Sequence, residues 1–482
     1  MNINKNNLLL LVIFLEGYIV LACELLAIRQ LIPFAGSGTE VISIIISAVL
    51  LPLALGYHVG GAKFRKVAAK RKASGLPPLS IRRILLRNAL LSMAFLTMAL
   101  SYPFLELLFG VLSALDITHR IAQVSLYCAL FLVGPVYVLG QTVPLISNYF
   151  SKRDLSSITG TMLFCSTTGS FLGSVFSTII LMSFIGVHNT VIVTMGLLGV
   201  LALLLTRRNM RYEPLLIALL FVVTLAANNN FTMRELNIVS NNNYNMVMVT
   251  HAPNSDDLYM FVNRSGSSKL AKNNANRFPY VNYIETNFID TIPLAAEPKN
   301  ILVLGAGGFT IGLNDKKNHY LFVDIDKDLK PVSEHYFLKQ KLSANKRFEA
   351  LSARAFLRNN QEKFDLVIID VFTNMHSVPM ECTTREFLDA IKTSLKPDGM
   401  VIANMIASPT FNDYFSVRYD NSFASVFPNF SRQVVTPFDP WLEKNHKEKH
   451  PTANILYIYY NRLTMGDTAV YTDNQNTYSL DR

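Results

Sequence analysis

Charge is scarce in this sequence. Only 16% of its 482 residues are Asp, Glu, Lys or Arg, while 50% are hydrophobic. The mean hydropathy of +0.28 excludes a purely soluble protein and calls for membrane-spanning runs. Cysteine is scarce as well. Cys23, Cys128 and Cys165 lie in apolar segments and Cys382 in the more polar half. No two of the four stand at the spacing of a zinc site or a disulfide framework, so no metal is expected. No small-residue cleavage site follows the first apolar run, and that run is long enough to span. A cleavable signal peptide is therefore not expected.

What charge there is has a sign and a place. The formal net charge is +10, and the basic residues concentrate between long apolar runs in the first 227 residues. This is the distribution of membrane-topology charge rather than of a nucleic-acid surface, so no nucleic-acid partner is expected. Six segments are long and apolar enough to cross a bilayer: 8–32, 39–60, 84–109, 121–149, 159–185 and 188–206. A seventh, Pro214 to Ala227, is only about fourteen residues long, and whether it spans is left open.

Lys63, Arg65, Lys66, Lys70, Arg71, Lys72, Arg82, Arg83 and Arg87 follow the second segment. Lys152 and Arg153 follow the fourth, and Arg207, Arg208 and Arg211 follow the sixth. All three basic loops fall on one side, which the positive-inside rule makes cytoplasmic. A spanning seventh segment would put the soluble half outside. A nucleotide-type ligand is normally available inside, so the seventh segment is demoted and a cytoplasmic soluble half is expected. Glu16, Glu24 and Arg29 are charges at membrane depth in the first segment. They read equally as a substrate or ion path and as interhelical ion pairs. Gly56 and Gly60, and Gly169 and Gly173, are small residues four apart that suit close helix packing and allow a homo-oligomer.

The second half has soluble composition. Short β-type runs at YNMVMVTH and LYMFVN form a small hairpin unit, and a helical stretch, roughly 283–296, follows. Core strands are expected at 301–304, 320–324, 347–351, 366–370 and 400–404, with helical stretches between them. A closing antiparallel pair is expected at 432–437 and 455–460. This alternation predicts a doubly wound, mostly parallel α/β sheet of Rossmann-like type. The division expected is 1–227 transmembrane, 228–298 hairpin and linker, 299–463 Rossmann-like, and 464–482 a loose tail.

The ligand of such a sheet lies beyond the carboxyl ends of its strands. Those ends carry a glycine turn (Gly305, Gly307, Gly308), then Asp324, Ser352 and Asp370. Glycines let a ligand approach the backbone, and an acid at the end of the second strand accepts hydrogen bonds from ribose hydroxyls. Asp370, ending LVIID, suits a general base or an amine-orienting carboxylate. His376, in the loop after it, reads as a solvated loop histidine.

The ordered series YIE (283–285), ILVLGAGG (301–308), VDID (323–326), SARAFL (352–357), FDLVIID (364–370), TTREFL (383–388) and LKPDGM (395–400) resembles spermidine synthase and its aminopropyltransferase relatives, over essentially residues 238–461. The membrane half resembles the multi-helix unit to which some bacterial proteins fuse such a domain, through EGYIVLACELLAIR, LPLALGYHVGG, VPLIS and TGSFLGS. The resemblance implies a methyltransferase-like fold in the inner membrane. It also implies aminopropyl transfer from decarboxylated S-adenosylmethionine to an amine. Gly305, Gly307 and Gly308 would hold the donor and Asp324 its ribose. Asp370 would be the base. Ser352 takes the place of the acid beside adenine, and Tyr244 and Asn245 that of a tyrosine–glutamine pair. Asn245 would contact the donor, and Tyr244, Tyr283 and Glu285 the acceptor.

The departures are Phe309 and Thr310 where the family has an acid in the turn, Ile284 where it has histidine, and Thr373 and Asn374 where it has a second acid. Two other readings stay open. One is an S-adenosylmethionine-dependent transferase on a membrane-delivered acceptor. The other is a non-catalytic module that senses or transports an amine, in which Glu24 and Arg29 line the path.

Overall fold

The computed structural model describes residues 5–75, 80–150, 155–207, 210–252, 255–271, 277–293, 296–372, 378–435 and 452–461. Lys152, Arg153, Arg208, Thr373, Asn374, His376 and the tail 464–482 lie outside the described residues.

The N-terminal half is helical. Six helices are long and apolar enough to cross a membrane: Asn6–Ala35, Thr39–Gly61, Arg120–Ser147, Ser156–Phe184, Gly186–Leu204 and Tyr212–Glu235. The pair Ile81–Ala99 and Tyr102–Ala114, bent by 68°, meets the same length and composition only when taken together, which brings the described helices to seven if the pair is one span. The run expected at 84–109 is therefore two helices, not one. Pro103 at the start of the second has no N–H to continue a helical ladder, and the chain turns there. Ile81–Ala99 has 19 residues and is long enough to cross on its own. The run left open, 214–227, lies within the helix Tyr212–Asn228.

The first helix is the centre of the bundle. Its window is 67% buried, against 17–56% for the others. Glycine makes its packing possible. A Cβ at Gly169 would meet the Phe14 carbonyl and one at Gly173 the Tyr18 carbonyl, so the helix Ser156–Phe184 lies backbone to backbone along it. Tyr18 Oη and Ser177 Oγ, 3.0 Å apart, close the same seam.

The C-terminal half begins with a four-stranded antiparallel meander: β1 (Ile238–Asn241), β2 (Met246–His251), β3 (Leu258–Val262) and β4 (Ser265–Leu270). A seven-stranded sheet follows: β5 (Asn300–Leu304), β6 (His319–Asp324), β7 (Lys346–Ala350), β8 (Phe364–Ile369), β9 (Leu395–Ala407), β10 (Ser431–Val435) and β11 (Ala453–Tyr460), in the order β10-β11-β9-β8-β5-β6-β7. β5 through β9 pair in parallel, and β11 joins β9 and β10 antiparallel. This is the mixed, mostly parallel sheet of the methyltransferase-like class. The central strands are buried on both faces, as their continuous apolar runs require.

One expected helix is missing. From β5 the chain reaches β6 through turns alone at 305–318. Gly305, Gly307, Phe309 and Gly312 all have positive φ there, which no right-handed helix accepts. Phe309 is the costly member, since a non-glycine residue in that region loses about 1–2 kcal/mol. Its ring is fully buried and packs edge-on against Phe322 and Phe348, with centroids 5.0 and 5.4 Å away. Burial of a phenyl ring contributes about 1.5–3 kcal/mol and each such aromatic pair about 0.5–1.5, so packing wins. The side chain standing where the family has an acid therefore points into the core.

Candidate functional site

Strand order reverses at β5. The chain moves outward through β6 and β7, then returns to place β8 on the other side of β5. The crevice of an open α/β sheet forms at this switch point, beyond the strand ends. Gly305 ends β5 and Asp370 ends β8, and they touch: a Cβ at Gly305 would collide with the Asp370 carbonyl. Gly305 has φ +91°, so both its conformation and its surroundings exclude a side chain.

A cavity of about 490 Å³ opens here. Of the residues singled out from sequence, Gly305, Gly307, Asp324, Ser352, Asp370, Tyr244 and Asn245 line it. Gly308, Tyr283 and Glu285 are not among the lining residues. Gly308 is turned inward, its N–H donating to Ser268 Oγ at 2.8 Å. Glu285 braces the turn from behind, accepting the Gly312 N–H at 2.8 Å and pairing with Arg277. A carboxylate expected at the acceptor is thus held by the scaffold.

Asp370 is fixed from two sides. Asn404 Nδ2 donates to Oδ1 at 2.8 Å and Tyr280 Oη donates to Oδ2 at 2.7 Å. Asn404 is itself oriented by Asn454, whose Nδ2 donates to its Oδ1 at 2.9 Å. Burial raises the Asp370 carboxyl above its ordinary range, and the two hydrogen bonds to the ionised form oppose that shift. The result is a carboxylate more basic than usual with its oxygens in set positions. Neither Tyr280 nor Asn404 was found from the sequence. Asn404 does carry a signal, a polar residue inside an apolar strand, while Tyr280 carries none beyond its place just before YIE.

Asp324 organises the turn. Its Oδ2 accepts the Ala306 N–H at 3.0 Å and its Oδ1 the Asp326 N–H at 3.1 Å. Burial pushes its carboxyl up to about 6 despite these bonds. Ser352 caps the helix Ala353–Asn359, accepting the Ala355 N–H at 3.2 Å, while lining the cavity. Asn245 is fully engaged: its Nδ2 donates to Asp326 Oδ2 at 3.0 Å and its Oδ1 accepts from Asn263 at 2.9 Å. Tyr244 is exposed beside it. Glu381 and Arg354 also face the cavity, so its described ionisable wall is Asp324, Asp370 and Glu381 against one arginine. No group of three or more His, Cys, Asp or Glu suited to a metal occurs among the described residues.

The cavity has a further wall that sequence reasoning missed: Ser37, Gly38 and Thr39, the turn between the first two membrane helices. The membrane half also reaches in through Arg29. Its Nε donates to the Asn242 carbonyl at 2.7 Å, and Asn242 Nδ2 donates to Asp326 Oδ1 at 2.8 Å and Asp328 Oδ2 at 2.7 Å. Glu24 and Glu16 stay in the bundle. Glu24 Oε2 and both Glu16 carboxylate oxygens are buried with no hydrogen-bond partner among the described residues.

Residues 282–438 match the family model of the spermine/spermidine synthase domain. A polyamine aminopropyltransferase of Vibrio vulnificus is 29% identical over 160 residues, which cover 32% of this chain and 51% of that protein. A polyamine aminopropyltransferase of Lachnoclostridium phytofermentans is 33% identical over 144 residues, covering 27% and 49%. The chain thus spans about half the length of these curated relatives. Among solved structures, a probable spermidine synthase from Corynebacterium glutamicum superposes with a TM-score of 0.37 at 21% identity, over 47% of this chain and 80% of that one.

Proposed function

We propose, for a chain whose C-terminal half carries a spermine/spermidine synthase domain, that this half transfers an aminopropyl group from decarboxylated S-adenosylmethionine to an amine beside the membrane. The observation that carries the reading is Asp370. It is a buried carboxylate oriented by Asn404 and Tyr280, in the same cavity as the glycine turn and Asp324.

The residues present fit the donor. Gly305 and Gly307 line the cavity, and Asp324 has lone pairs left for ribose hydroxyls. Ser352 replaces an acid at the adenine end, Asn245 stands against Asp326 on the donor's path, and Tyr244 is left for the acceptor. Asp370 does the proton work. The acceptor nitrogen's lone pair forms a bond to the carbon next to the sulfonium. The C–S bond breaks, its electron pair stays on sulfur, and methylthioadenosine leaves. The proton released from nitrogen passes to the Asp370 carboxylate, whose raised basicity suits the task. Glu285 acts behind the wall, holding the turn through Gly312.

A second reading keeps the adenosyl donor and changes the acceptor to an amphiphilic amine delivered by the bilayer. The wall of Ser37, Gly38 and Thr39 supports it, together with the small number of carboxylates available to hold a dication. Calorimetry on the full chain with S-adenosylmethionine, its decarboxylated form and methylthioadenosine tests both readings. Binding of at least one is expected, with turnover lost in Asp370→Asn. No binding of any of the three would remove both, leaving an amine-binding module.

A further inference from the structure

The two ends of the helical bundle differ in charge, and the contacts show which end holds the synthase domain. At one end, the Arg82 guanidinium opens the third crossing and donates to the carbonyls of Leu205 (2.7 Å), Leu204 (2.9 Å) and Thr206. The segment with Lys66, Lys70, Arg82 and Arg83 therefore meets the one with Arg207 and Arg211. Asn88, two turns on, bonds the Val138 carbonyl at 3.1 Å and Gln141, so the crossing Arg120–Ser147 also ends here, just before Lys152 and Arg153.

The opposite end carries the domain. Gln30 donates to the Leu100 carbonyl at 2.9 Å, joining the end of the first helix to the end of Ile81–Ala99. At this end Arg29 meets Asn242, Arg264 pairs with Glu106, and Lys327 lies over the Phe184 ring. His188 meets Asn230 at 2.8 Å. The last helix arrives here too: Thr97 and Thr224 are 2.9 Å apart, near the ends of Ile81–Ala99 and Tyr212–Asn228, so the two run the same way. The connections at this end (36–38, 100–101, 115–119 and 185) contain no lysine or arginine.

Seven crossings therefore leave the basic loops at one face of the membrane and the synthase domain at the other. Short loops rich in Lys and Arg stay on the cytoplasmic side. We infer that the cavity walled by Ser37–Thr39, Asp324 and Asp370 opens at the non-cytoplasmic face of the membrane and takes its amine ligand from that compartment. The cytoplasmic placement expected from ligand supply is thereby reversed. That expectation demoted the last segment, but Tyr212–Asn228 has 17 residues, about 25 Å of helix, close to the hydrocarbon thickness.

The orientation rests on the basic loops and the contacts alone; the amine ligand rests on the function proposed above, and an adenosyl donor, normally available inside, would have to reach the cavity across the membrane. It is tested on the full chain. Ser74→Cys marks the basic end and Asp398→Cys an exposed turn of the domain. Cys23, Cys128 and Cys382 are buried, and the unsubstituted chain gives the background. A membrane-impermeant maleimide applied to spheroplasts is expected to label Asp398→Cys fully and to leave Ser74→Cys unlabelled until lysis. The reverse pattern overturns the inference. As a second readout on the unsubstituted chain, alkaline phosphatase fused at the C-terminus is expected to be active and green fluorescent protein dark. A fluorescent fusion with inactive phosphatase overturns it, whatever calorimetry says about adenosyl ligands.

Discussion

Arg29 and Asn242, 213 positions apart, meet through one hydrogen bond from a membrane-helix guanidinium to a backbone carbonyl. Asn242 then spends its own side chain on Asp326 and Asp328, immediately after the acid expected at the ribose. The membrane half thus bears on the loop after Asp324, at one side of the cavity. Arg29→Met removes a buried charge-assisted bond worth about 1.5–3 kcal/mol, and leaves the Asn242 carbonyl unpaired. The expected result is a loss of methylthioadenosine affinity of about tenfold, or about 1.4 kcal/mol, with a lower melting temperature in detergent. Unchanged affinity would show that the contact only anchors the domain.

Tyr280 is the cleaner probe of Asp370. Its hydroxyl stabilises the ionised carboxylate, so Tyr280→Phe removes an influence that lowers the Asp370 pKa and leaves the burial that raises it. Asp370 works as a base only when deprotonated, and activity falls as pH drops through its pKa. The acid limb of the kcat/KM profile is expected to move to higher pH in Tyr280→Phe, with methylthioadenosine binding unchanged. A limb that stays in place would mean that Asp370 does not carry the proton. Asp370→Asn is expected to cost about 10²–10⁴ in turnover, the usual contribution of a positioned acid–base group.

Asp324 sets a different pH dependence. Its carboxyl is pushed up to about 6 by burial, and only its ionised form offers lone pairs on both oxygens to ribose hydroxyls. Methylthioadenosine affinity is expected to be constant above that value and to weaken as pH falls through it. Titration calorimetry across pH 5–8 reads this directly. Affinity flat over the whole range would place the ribose elsewhere.

Much of this was legible in the sequence, for physical reasons. Strands buried on both faces leave continuous apolar runs, so β5, β6 and β8 could be read from ILVL, YLFVD and FDLVII. Spans leave long ones. What stayed hidden depends on pairing across the chain. Tyr280 and Asn404 matter because the fold brings them to the two oxygens of Asp370; Asn404 shows only as a polar residue inside an apolar strand, and Tyr280 has no local mark beyond its place before YIE. Glu285 read as an acceptor contact, but its reach to Gly312 is set by turn geometry. The absent helix after β5 was hidden in Phe309, whose positive φ is sustained only by a core around its ring. The orientation inferred for the domain draws on basic loops that were legible and on the length of one short run that was not.

The turn between the first two membrane helices leads to a last expectation. Gly38 lies in the cavity wall, and the nearest atoms a Cβ there would meet are those of the Glu40 carboxylate, which pairs with Arg120. A larger residue there displaces that carboxylate and its ion pair first. Gly38→Phe would project its ring from the membrane-side wall, far in sequence from the glycine turn. If the acceptor enters along this wall, the variant is expected to raise the KM for the amine about tenfold while methylthioadenosine affinity stays the same. That split follows from loss of binding at one end of a two-substrate cavity. A comparison of a short soluble diamine with an amine on a hydrocarbon tail then separates the two acceptor readings. The tailed amine is expected to lose more if the bilayer delivers it past Gly38, and the two are expected to lose equally if the acceptor is soluble. A fall in methylthioadenosine affinity with amine KM unchanged would put this wall at the adenosyl end and exchange the two ends of the site.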